Sequence, residues 1–81
     1  MDPVDIKQRI EDAIPECTAS VIDTGGGNHF QATVVSRQFT GKTMVEQHRM
    51  VYDALKASLA DETIHAMALQ TFTPEEYARR Q

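Results

Sequence analysis

Apolar residues recur at helical spacing near the start of the chain, where Ile6, Ile10, Ala13 and Ile14 fall at i, i+4, i+7 and i+8. Asp2 is placed to cap this helix, Pro3 suits its first position, and Pro15 stops it. The period then changes. Cys17 to Ile22 reads as a strand, Asp23 to Asn28 as a loop with three successive glycines, and Phe30 to Ser36 as a second strand. In that second strand Phe30, Ala32 and Val34 point one way, and Gln31, Thr33 and Val35 the other. Together the strands predict an antiparallel hairpin. Thr43 and Glu46 form a capping-box pattern that opens a long helix to Leu59, with Met44, His48, Val51, Leu55 and Leu59 as its buried stripe and Tyr52 beside it. Ile64 to Thr71 reads as a third strand, and Thr73-Pro74-Glu75-Glu76 opens a last short helix.

The expected order is α-β-β-α-β-α in one domain spanning residues 1–81. The helix between the second and third strands is a crossover, so those strands can pair in parallel while the hairpin pairs antiparallel. The fold class is α+β, a three-stranded mixed sheet with helices packed on one face to close a core.

Composition narrows the function classes. A chain of 81 residues has a thin core and no insertion from which to build a deep cleft, which weighs against an enzyme. The net charge of −4 weighs mildly against nucleic acid as the general partner, while leaving room for a local basic patch. The single cysteine, Cys17, rules out an internal disulfide and any site built from several thiolates of this chain. It reads as a small buried residue at a strand edge. No apolar run approaches the length of a membrane span, and the first residues lack a secretory pattern. A cytoplasmic location is expected, or an organelle if the chain is a processed import product.

Three blocks of sequence, in order, resemble the BolA family. FTGKTMVEQHRMVYDAL at 39–55 is similar to the family's central signature, Phe-x-Gly-Lys followed by His-Arg-x-Val-Tyr and Ala-Leu. GGNHFQATVVS at 26–36 resembles its hairpin loop and second strand, and IHAMALQTFTPEEYA at 64–78 its third strand with a His-Ala pair. The resemblance implies a fold similar to the class II K-homology domain. It implies a partner, a monothiol glutaredoxin with a Cys-Gly-Phe-Ser site, and a [2Fe–2S] cluster shared with that glutaredoxin and glutathione. Some family members have also been viewed as transcriptional regulators that bind DNA, a role tied to stress responses.

The same resemblance singles out His29 in the glycine-rich loop and His65 of the His-Ala pair as metal ligands. Neutral imidazole is a suitable ligand for iron, but a [2Fe–2S] cluster needs four ligands and two histidines leave the shell half filled. No cluster is therefore expected in the isolated chain. Arg37, Lys42, His48 and Arg49 are candidates for a nucleic-acid or partner surface, although the spacing of His48 with Met44 and Val51 reads as inward. Gly41-Lys42 faintly resembles the Gly-x-x-Gly loop of K-homology domains but lacks the second glycine. The glycine run 25–27 is not a phosphate loop, because no helix follows it. An interaction module in iron–sulfur trafficking or iron and redox regulation is the first expectation. A nucleic-acid-binding regulator is the second, with DNA binding weak and salt-dependent at best. Self-association stays open.

Overall fold

The computed structural model describes residues 2–61, 64 and 66–80. Its elements are α1 (Pro3–Ala13), β1 (Cys17–Gly25), β2 (His29–Ser36), a 3₁₀ turn (Arg37–Phe39), α2 (Met44–Ala54), α3 (Lys56–Ala60), β3 (Ala66–Phe72) and α4 (Pro74–Arg79). The sheet has the order β1-β2-β3, with β1 antiparallel to β2 and β3 parallel to it. The expected α+β architecture and the mixed sheet are both present.

The central strand carries the alternation read from its sequence. Phe30, Ala32, Val34 and Ser36 are buried, and they face the helices. With Ile6, Ile10, Ile14, Ala19, Phe39, Val51, Leu55 and Ile64 the buried apolar residues form the core. Ala13 is exposed, so the inward stripe of α1 is narrower than predicted. Pro3 sits in the first turn, whereas the Asp2 side chain makes no capping bond. β1 runs on through Asp23 and Gly25, with an irregularity between them, so the loop is shorter than expected. Gly26 and Gly27 take φ of 70° and 77°, the left-handed region that favours glycine and turns the chain back into β2.

The long predicted helix differs in two ways. It breaks at Leu55, whose φ and ψ of −110° and 13° separate α2 from α3. Its inward face is also rotated by about one residue. Gln47, Val51, Leu55 and Ser58 are the buried positions, while Met44 is 68% exposed and Tyr52 39%. His48 and Leu59 are half-buried. A polar side chain takes an inward place because the backbone there needs partners. The Gln47 amide nitrogen donates to the carbonyls of Phe39 (3.1 Å) and Lys42 (3.0 Å), and its carbonyl oxygen accepts from the Thr71 hydroxyl (2.7 Å). Ser58 accepts from the Arg9 guanidinium, which ties α3 to α1.

The helix starts are capped as expected. Thr43 and Glu46 exchange both bonds of a capping box at α2, and Thr73 and Glu76 do the same at α4. Phe72 and Tyr77 lie 5.8 Å apart under the Arg80 guanidinium, which pins α4 to the end of β3. Ser36 closes the same end of the sheet at β2, donating to the Pro15 carbonyl and accepting from the Gln38 N–H.

Glu11 joins α1 to the outer edge of β1. Its carboxylate accepts from the Ala19 N–H at 3.0 Å and from Lys7. The Ala19 bond first, and then Lys7, hold this carboxyl below the usual carboxylate range.

Two outcomes follow from these contacts. Gln47→Leu leaves two carbonyls and a hydroxyl without their partner and should cost about 2–3 kcal/mol, read as a lower urea midpoint at unchanged m-value. Because the folded state depresses the Glu11 pKa, its contribution is full above the ordinary glutamate pKa and disappears as pH falls through the folded value. Thermal melts of the parent and Glu11→Gln should therefore differ at neutral pH and converge in acid. A constant gap across that range would show that the charged form of Glu11 does not matter.

Candidate functional site

His29 opens β2 directly after the glycine turn and is exposed. The parallel register sets it opposite Ala66, the residue that follows His65 in the chain. One bond fixes this register at its start: the Ala66 N–H donates to the Asn28 carbonyl at 3.2 Å. The position of His29 is thus held by the β2–β3 ladder on one side and the β1 pairing Gly25↔His29 on the other. His65 lies outside the described residues. Among the described residues no group of three histidine, cysteine, aspartate or glutamate side chains is placed to hold a metal ion.

The basic candidates lie elsewhere. Arg37 follows the last residue of β2, eight positions on from His29. At the rise of a strand this is about 25 Å away. Its guanidinium faces Glu16 at 3.7 Å, which offsets its charge. Lys42 is exposed at the entry to α2, where Glu46 stands beside it. Arg49 is exposed on α2, one residue from His48. His48 is not packed inward as its spacing suggested. It meets Tyr52 edge-on at 6.4 Å and borders a shallow groove formed with Met44, Leu69, Thr71 and Phe72. A second depression on α2 is lined by Val45, His48, Arg49 and Tyr52. The predicted residues therefore fall into two groups at opposite regions of the molecule: His29 at the hairpin end, and Lys42, His48 and Arg49 along α2 with Arg37 at the far end of β2.

Cys17 belongs with neither group. It pairs with Ser36 at the end of the hairpin remote from His29 and packs against the core. Burial, and then the charge of Glu11, push its thiol up to about 11. That makes it a packing residue, and it is too far along the sheet to join His29 at a metal.

Sequence reasoning missed Gln47 as the residue that organises the α2 entry. Its signal was there in the spacing Gln47, Val51, Leu55, Ser58, but two of those four positions are polar and the competing stripe through Met44 is more apolar.

These features define a class: a mixed α+β domain with α1 and α2 on one face of a three-stranded sheet, α4 against the other, and an exposed histidine at the start of the central strand. The chain matches the family described as BolA-like protein over residues 7–76, and it belongs to the BolA family. Its fold aligns with a BolA protein homologue from Coxiella burnetii at a TM-score of 0.79 and 44% identity, covering 98% of this chain and 99% of that one. Acid stress protein IbaG of Escherichia coli K12 is 39% identical over 56 residues, which are 69% of this chain and 67% of the relative. The DNA-binding transcriptional regulator BolA of the same strain is also 39% identical over 56 residues, but these span only 52% of its length. Relatives in the family are thus named as a stress protein and a regulator, and neither name is that of an enzyme. Among the described residues no helix is long and apolar enough to cross a membrane.

The placement of Cys17 has a chemical consequence. A thiol pKa pushed up to about 11 leaves less thiolate near neutral pH, and packing against the core limits access to it. Iodoacetamide labelling of the native chain, followed by mass, should be clearly slower than labelling of the urea-unfolded chain. Equal rates would contradict the burial of Cys17.

Proposed function

We propose that this chain is the BolA partner of a monothiol glutaredoxin, and that the pair holds a bridging [2Fe–2S] cluster to which this chain contributes His29 and His65. The observation that carries the reading is the register His29↔Ala66, which brings the start of β2 beside the residue next to His65 in sequence. The donor set fits half of a shared site. Imidazole ligates iron, His29 and His65 would fill two of the four coordination positions, and Cys17 is remote from His29. The glutaredoxin cysteine and glutathione would supply the rest. When bound, the cluster provides iron and sulfide in a form that can be passed on or sensed.

This chain's own residues act by positioning. The ladder holds the backbone of His29 while its side chain stays exposed. Gly26 and Gly27 turn the chain sharply and carry no side chain that would obstruct a partner's approach.

A DNA-binding role enters through the name of one E. coli relative. It would rest on Lys42, Arg49 and Arg37, and two of these stand beside carboxylates, Glu46 and Glu16. Few counterions would be released, so affinity should fall away at physiological salt. The glutaredoxin reading is favoured for that reason.

The test is reconstitution of the full chain with a monothiol glutaredoxin, iron, sulfide and glutathione, followed by visible absorption and circular dichroism. The isolated chain should be colourless, and the mixture should show a cluster spectrum distinct from that of glutaredoxin alone. His29→Ala and His65→Ala should abolish that distinct spectrum while far-UV circular dichroism is retained. His29→Cys should keep a cluster with a lower reduction potential, since a thiolate donates more charge than imidazole. Parent spectra and potentials in all three variants would remove both histidines from the site.

A further inference from the structure

The two edges of the sheet are treated differently. β1 is guarded: the Glu11 carboxylate occupies the Ala19 N–H on its outer side, its far end is irregular between Asp23 and Gly25, and the Asp23 carboxylate takes the Gly25 N–H at 2.9 Å. Natural sheets use such covered N–H groups, charges and bulges to block edge-to-edge pairing.

Among the described residues β3 shows none of these devices. Its seven residues, AMALQTF, contain no charge, no proline and no glycine, and its one strand neighbour among the described residues is β2. The Ala66 N–H points toward β2, so by the alternation of a parallel ladder the N–H and C=O groups of Met67, Leu69 and Thr71 point to the open side. Met67 and Leu69 face the core layer yet stay only half-buried, because the cover over β3 is incomplete. Beside this edge runs the stripe Met44, His48, Tyr52, three residues at i, i+4 and i+8 of α2. Met44 is 68% exposed and Tyr52 39%. Met44 and His48 line one groove together with Leu69, Thr71 and Phe72.

We propose that a second copy of this chain covers this edge. The two β3 strands pair antiparallel with Leu69 on the twofold axis, and the α2 stripes lie alongside each other on the same face of a continuous six-stranded sheet. In this register Leu69 meets Leu69 of the second copy and Met67 meets its Thr71, so each outward N–H and C=O of those three residues gains a partner. The choice of a second copy follows from the chemistry of the edge. An unlike strand is selected by charge pattern or by a deep anchor pocket, and AMALQTF has no charge while the groove is shallow. Self-pairing needs neither, since symmetry matches the strand to itself and sets no like charges opposite one another along it. The net charge of −4 is carried outside the strand. A strand edge with one helix stripe is a small interface, below about 1,200 Å² in total, so the dimer is weak and depends on concentration. The proposal does not rest on the glutaredoxin reading, and its test contains neither glutaredoxin nor iron.

Sedimentation equilibrium of the full chain from micromolar to millimolar concentration should show reversible monomer–dimer association. Amide hydrogen exchange should show protection of Met67, Leu69 and Thr71 that rises with concentration. Met44→Glu and Tyr52→Glu change exposed residues and should leave far-UV circular dichroism intact while weakening association at least tenfold each. Leu69→Lys, which places a charge at the axis, should leave only monomer. A chain that stays monomeric at millimolar concentration overturns the proposal. So does a dimer in which those three amides exchange as they do in dilute solution, because its interface is then elsewhere. Protection of the three amides by a different protein, without self-association, would also overturn it in favour of an unlike partner.

Discussion

The parallel pairing of β3 with β2 is the constraint on which the rest of this structure depends. Parallel neighbours cannot be joined by a tight turn, so the chain must leave the end of β2, cross back over the sheet and re-enter at the same end. The 3₁₀ turn, α2 and α3 are that crossover, and they supply half of the layer that buries Phe30 and Val34. The return point then fixes Ala66 opposite His29. A slip of one residue would turn Met67, Leu69 and Thr71 to the wrong face and separate Thr71 from Gln47. Register, core and site geometry are therefore set together.

Gln47 shows how the crossover is kept in place. A chain of 81 residues has few buried apolar residues with which to hold a helix. Apolar contact alone would let α2 slide along the sheet, since burial is not directional. The amide of Gln47 adds direction: it reaches the loop before α2 through Phe39 and Lys42, and it reaches β3 through Thr71. The entry of the crossover and the neighbouring part of β3 are thus tied to the same side chain. A leucine there would bury more apolar surface but would leave those carbonyls without partners in a dry interior, where the loss is costly.

What the sequence disclosed divides along the same line. β2 was legible because one face is fully buried and the other is more open, so its alternation is clean; both capping boxes were legible because their signal is local. The α2 stripe was misread in part because periodicity counts apolar residues and cannot see hydrogen-bond demand, so Met44 looked inward and Gln47 did not. The break at Leu55 has no proline or glycine to announce it, and beyond it Ser58 of α3 bonds Arg9 of α1. The far end of β1 was read as loop because Asp23 and the glycines are turn formers, yet pairing with β2 holds two of those residues in the strand. At the candidate site, His29 was singled out by family resemblance rather than by spacing, and its neighbourhood with Ala66 needed the parallel register. The distance of Cys17 and Arg37 from His29 follows from the hairpin, which sets Cys17 opposite Ser36 at the remote end of β2, with Arg37 just beyond it.

The placement of His29 has a physical logic of its own. A ligand in a free loop would have to be ordered when the metal binds, at a cost of about 1–2 kcal/mol for each backbone residue fixed. A ligand inside the sheet would be inaccessible to a partner. The first residue of a central strand avoids both problems. Its backbone is already held between β1 and β3, while the turn of Gly26 and Gly27 before it presents no bulky side chain. The core that makes this possible lies on the other side of Phe30, the next residue, which is 2% exposed. One step along the strand separates an exposed position from one of the most buried. A small domain can thus offer a preorganised histidine at its surface without giving up any of its limited interior.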